Sequence, residues 1–230
     1  MIRVERRIEP PPSLASRSAP FRDDVKTALD EDFDGKCYLC EGIASDSFDV
    51  EHLRPKCDFP ELAFDWSNLF PAHSRCNERR KTWTAAEREP EHRRWPKGGM
   101  LDCAADDVGS RLTHRVVIDV ETIVSIAATD PNDKPAVNTA TELATIYSPH
   151  SFWGRQICSL LGSRYVDVNK AYLKLLQLLA QYGEDWEQSA VSDQQMVVRE
   201  MLSPHSPYAG LIRSKMRSWV KPGFHSLLGL

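Results

Sequence analysis

No stretch of this 230-residue chain is apolar for long enough to cross a bilayer. The opening M-I-R-V-E-R-R-I also lacks the apolar segment of a secretory signal, so a cytoplasmic location is expected. No internal repeat is visible. No G-x-x-x-x-G-K-[ST] phosphate loop is present either, so any ATP use belongs to a different chain. The chain has no basic excess: its formal net charge is −4, unusual for a free-standing nucleic-acid binder. Nucleic-acid contact would then be local, or shared with a partner. The six cysteines do not form an obvious disulfide framework, and a reducing compartment fits them. What is present, 41% hydrophobic and 27% charged residues, is enough for a core in one large or two small domains.

The informative stretch runs from Cys37 to Lys81. Cys37 and Cys40 form a C-x-x-C pair, and His73 and Cys76 form an H-x-x-C pair. Close-spaced pairs suit tetrahedral zinc, because one tight turn can aim two ligands at one point. Cys57 lacks a close partner and reads as a packing cysteine. Between the pairs, F-D-V-E-H reads as a strand ending at His52, closed by Pro55, and residues 66–71 read as a second short strand or an extended turn. Ser74 can cap a helix carrying Asn77, Arg79, Arg80 and Lys81. A metal could sit between His52 and Asn77.

These residues resemble the HNH nucleases, the ββα-metal or His-Me finger group, in the form with Asn in the last position. His52, Asn68 and Asn77 match the three signature positions. Cys37, Cys40, His73 and Cys76 match the zinc knuckles that many members carry. The runs E-H-L-R-P-K, F-P-E-L-A-F-D-W-S-N-L and C-N-E-R-R-K narrow the likeness to the HNH partners of ATPase-linked antiviral systems of the Septu type, some of which accompany retrons. Two positions depart from the common pattern: Glu51 stands where many members have Asp, and His73 where many have Cys.

The resemblance implies metal-dependent hydrolysis of a phosphodiester. Glu51 and Asn77 would hold Mg²⁺ or Mn²⁺, and His52 would be the general base. Asn68 is expected to brace the loop by hydrogen bonding. Arg75, Arg79, Arg80 and Lys81 are candidate phosphate contacts. The expected partners are nucleic acid, with DNA ahead of RNA, and an ABC- or SMC-type ATPase of the same defence system. Two alternatives stay open: a stand-alone restriction-type HNH nuclease, and a non-catalytic zinc-knuckle module that binds nucleic acid or protein.

The fold class expected is α+β. An N-terminal extended arm spans 1–20, a zinc-braced ββα module 21–98, and a mostly helical portion with a small β-hairpin 99–230, suited to docking a partner. Within the module, 21–34 reads as a helix stopped by Gly35, and the helix after Ser74 is expected to reach about Arg88. Further on, 114–129 alternates as a hairpin. Helices are then expected over 139–147, 151–161, 165–182, 185–202 and 206–220. Phe152, Trp153, Trp186, Tyr208 and Trp219 read as packing anchors.

Overall fold

The structure, a computed structural model, describes residues 1–18, 21–44, 47–80, 99–118, 121–183 and 185–230, with Arg79 and Arg80 described in backbone only. Among the described residues it is an α+β protein with two small two-stranded antiparallel sheets. Among the described residues no helix is long and apolar enough to cross a membrane.

The first helix, α1 (Asp23–Asp32), buries Val25, Ala28 and Leu29, a stripe at three- and four-residue spacing. Asp23 and Asp24 lie in its first turn, where the helix dipole favours negative charge. Gly35, at φ +65°, closes it by donating its N–H to the Asp30 carbonyl at 2.8 Å. Strands β1 (Phe48–His52) and β2 (Leu69–His73) pair antiparallel, with Phe48 opposite His73 and His52 opposite Leu69. Helix α2 (Ser74–Arg80) follows β2 without a connecting residue. That junction places His73 at a strand end and Cys76 in the first helical turn. Residues 1–18 lie against their own chain: Met1 and Leu14 are buried, and the Val4 N–H reaches the Cys103 carbonyl at 2.9 Å.

After a short α3 (Val108–Arg111) come β3 (Leu112–Ile118) and β4 (Thr122–Ala128), a hairpin as the alternation predicts. Helices α4 (Lys134–Ile146), α5 (Phe152–Gln181), α6 (Ser189–Met201), α7 (Ala209–Arg217) and α8 (His225–Leu228) complete the chain. α4 and α5 pack on β4, α7 packs on β3, and α6 packs on α5. One continuous core joins the two portions, including Phe33, Leu39 and Phe70 from one and Leu143, Tyr147 and Leu161 from the other.

Several boundaries differ from expectation. The segments expected over 151–161 and 165–182 are one 30-residue helix, α5. Gly162 does not break it. Its missing side chain lets the helix pass against Thr122 of β4, where a Cβ would collide with the hydroxyl. α4 begins five residues before the expected 139, because Asp133 accepts the Ala136 N–H and Pro135 falls in the first turn, where proline is tolerated. α6 starts at Ser189, not 185, and α7 ends at Arg217, short of 220. Phe152 is 67% exposed and Cys57 is also exposed, so neither is a packing residue. The expected helix extension to Arg88 lies largely outside the described residues.

His114 of β3 offers a stability test. Burial, with the nearby terminal ammonium, pushes its ring down to about 3 from the ordinary 6.5, and its Nε2 is enclosed without a hydrogen-bond partner among the described residues. A depressed value means that the native state resists a proton the unfolded chain accepts. The contribution is whole above pH 6.5 and is lost as pH falls toward 3. Thermal melts should show wild type losing stability relative to His114→Gln by up to about 1.4 kcal/mol per pH unit in that window. Parallel pH profiles would remove His114 as a cause.

Candidate functional site

The C-x-x-C pair sits in a turn held by the Cys37 N–H on the Gly42 carbonyl and the Glu41 N–H on the Cys37 carbonyl, each at 2.9 Å. Glu41 takes a positive φ of 58° to complete it. The Tyr38 N–H donates to the Pro71 carbonyl at 2.9 Å, fixing this turn beside β2. The two pairs then converge: ligand atoms of Cys37, Cys40, His73 and Cys76 all lie within 4.8 Å of one another. The three cysteines are fully buried.

The donor set fits a metal such as zinc on several counts. Three thiols and one imidazole are its preferred ligands. The His73 ring is oriented by its Nε2, 2.8 Å from the Ile43 carbonyl, which leaves Nδ1 to face Cys40 Sγ at 3.3 Å. Burial opposes ionisation of Cys37, but hydrogen bonds from Cys40, Cys76 and His73, with the His73 charge, outweigh it and hold that thiol well below its usual range. Cys40 and Cys76 shift upward because each hydrogen-bonds the Cys37 sulfur. His73 shifts upward: its hydrogen bond and charge attraction to Cys37 outweigh desolvation, which lowers it. The cluster thus stabilises negative charge at one sulfur, the condition a cation exploits.

Helices from the far end of the chain grip this centre, which the spacing of the ligands did not reveal. The Trp153 indole donates to Cys76 Sγ at 3.4 Å and meets the His73 ring edge-on at 5.3 Å. The Tyr147 hydroxyl donates to the Cys40 carbonyl at 2.9 Å. The Glu41 carboxylate accepts the Gly210 N–H at 2.7 Å, just inside α7.

The second group lies on the same ββα unit. His52 ends β1, and its Nε2 is 2.9 Å from the Ala63 carbonyl. A carbonyl accepts only, so Nε2 carries the proton and the neutral ring has its lone pair on Nδ1. Asn68 is buried and spends its amide on the loop. Its Oδ1 accepts the Arg54 N–H at 2.7 Å, and its Nδ2 donates to the carbonyls of Arg54 and Leu62. Asn68 therefore braces the 54–68 loop. Asn77, in the first turns of α2, donates to Asp49 Oδ2 at 3.1 Å, while its Oδ1 is enclosed without a hydrogen-bond partner among the described residues. Such an orphaned carbonyl oxygen is what a hard cation would satisfy.

Asp49 was missed by the motif reading. The signal was the two-residue period of F-D-V-E-H, which puts Asp49 on the face of β1 that carries Glu51. Arg75 is exposed on α2. Nothing is described of the side chains of Arg79 and Arg80, and Lys81 lies outside the described residues.

No family model matches the chain. Part of it is similar to a Septu protein. The similarity is to Septu protein PtuB of Bacillus thuringiensis, at 39% identity over 61 residues. That alignment spans 25% of this chain and 24% of the Septu protein, about a quarter of each.

Proposed function

We propose that this protein is a metal-dependent HNH-type endonuclease and the effector of an ATPase-linked anti-phage defence complex. The observation that carries the reading is the ββα unit. It presents His52 with Nε2 committed to a carbonyl, and brings Asn77, its Oδ1 unpartnered among the described residues, against the acidic face of β1. The partial similarity to a Septu protein supports the defence role; the ATPase partner rests on the motif resemblance alone. A pure binding module would need neither the Glu51–His52 pair nor Asn77.

His52 Nδ1 takes a proton from water, and the oxygen of that water attacks phosphorus opposite the leaving 3′ oxygen. Asn68 holds the loop that carries the Nε2 partner, so the ring keeps one tautomer. Glu51 and Asn77 would hold a divalent cation, Mg²⁺ or Mn²⁺, which would neutralise the phosphate and stabilise the departing oxygen. The P–O3′ bond breaks, the 3′ oxygen takes a proton from solvent water to leave as a hydroxyl, and the other strand end keeps the 5′-phosphate. Arg75, exposed on α2, is the candidate contact to a neighbouring phosphate. DNA is the expected substrate and RNA the alternative.

The test is cleavage of plasmid DNA and of single-stranded RNA by the full chain, purified with any ATPase that accompanies it. Mg²⁺- or Mn²⁺-dependent cutting is expected, falling by at least about 100-fold in Glu51→Ala. Cutting that is indifferent to added divalent ions and to Glu51→Ala would overturn the reading.

A further inference from the structure

The N-terminal segment is clamped onto the loop that orients His52. The Arg6 guanidinium donates from Nη2 to the Trp66 carbonyl at 2.7 Å and lies 4.1 Å from the centre of the Trp66 ring, with Phe70 at 5.0 Å and Phe33 at 5.7 Å. The Trp66 indole returns a hydrogen bond to the Arg7 carbonyl at 3.2 Å. Arg7 is itself tied to Glu31 and Asp32 of α1 at 2.6 and 2.7 Å. Trp66 opens the turn that ends at Asn68, and Asn68 fixes Arg54, two residues past His52. Phe21 meets both the His52 ring and Phe64 at 5.9 Å, and Arg17 lies over Phe64. Phe64 adjoins Ala63, whose carbonyl holds His52 Nε2.

Arg6 is costly where it sits. Burial pulls its guanidinium below its ordinary range despite Asp32 and Asp102 nearby, and its Nε and Nη1 are enclosed without hydrogen-bond partners among the described residues. An apolar side chain would fill the space against three aromatic rings without that penalty. What an apolar side chain cannot supply is the bond to the Trp66 carbonyl. Lysine could reach a carbonyl, but it lacks the flat, weakly hydrated surface that stacks on an indole.

We propose that Arg6 is a positioning residue for His52, acting through the Trp66–Asn68 turn, so that seating of the N-terminal segment sets whether the base is aligned. The inference rests on the nuclease reading for its consequence and on loop order for its test. In the zinc-loaded full chain, amide hydrogen exchange should rise about tenfold or more across 53–68 in Arg6→Met, with β3 and β4 unchanged. Arg6→Lys should restore part of the protection, and serves if Arg6→Met does not fold. Zinc content should match wild type. Where cutting is measured, kcat should fall about 10- to 100-fold with KM for nucleic acid within about threefold. Unchanged exchange across 53–68 in both variants, or equal loosening of the hairpin, overturns the proposal. Failure of the nuclease reading would look different: His52→Ala would leave cutting intact while the loop effect persists.

Discussion

Replacing His52 by alanine is expected to lower cutting by about 10²- to 10⁴-fold, the usual worth of a positioned general base. The loss should fall on kcat, because the ring is engaged when water is activated and contributes little to holding nucleic acid. His52→Gln should be nearly as inactive. Glutamine can still donate to the Ala63 carbonyl, now 2.9 Å from Nε2, but it has no basic nitrogen in the Nδ1 position. Asn68→Ala should be inactive for another reason. It releases three hydrogen bonds within the 54–68 loop and lets the carbonyl partner of His52 drift. Added imidazole should restore part of the cutting in His52→Ala and none in Asn68→Ala. The measurement is single-turnover cleavage across a pH series. Cutting by His52→Ala at the wild-type rate would remove the histidine from the chemistry and leave the ββα unit as a scaffold.

The second large effect concerns the four-ligand centre. Cys40→Ala or Cys76→Ala is expected to cost up to about 10 kcal/mol, judged by what structural zinc contributes to small domains. That is comparable with the whole stability of a domain, about 5–15 kcal/mol, so the variants should lose their cooperative melt. Chelation of the wild type should do the same, reversed by adding zinc. Because α5 and α7 also grip the knuckle, the loss should spread to the helical portion rather than stay local. Cys103→Ala is the control. It empties a comparable buried thiol that belongs to no cluster and should cost only about 1–2 kcal/mol. Trp153→Phe keeps the aromatic packing and loses the N–H to Cys76 Sγ, so metal affinity should drop about tenfold. Stoichiometric metal analysis with calorimetric melts checks all four. A Cys76→Ala protein that melts like wild type would show that this cluster does not support the fold.

The close-spaced pairs and the run from Phe48 to His52 were readable because their geometry is local. Two ligands separated by two residues share one turn, and a strand of alternating side chains assigns its own faces. The β3–β4 hairpin was legible for the same reason. Element ends were less so. That α5 runs unbroken past Gly162 shows only once Thr122 is seen against it, and the early start of α4 depends on its Asp133 cap. Phe152 and Cys57 read as core residues because residue type alone does not say which way a side chain faces.

Sequence by itself determined the ligand types and their close-spaced pairs, since both are chemistry at short spacing, while His52 as base came from resemblance to a family. Tertiary structure alone decided that all four ligands meet at one point, and that Asn77 rests on Asp49. It also brought Arg6 onto Trp66 and Trp153 onto Cys76, residues 60 and 77 positions apart. Such meetings are set by how buried faces stack, which depends on the whole core at once and leaves no periodic trace along the chain.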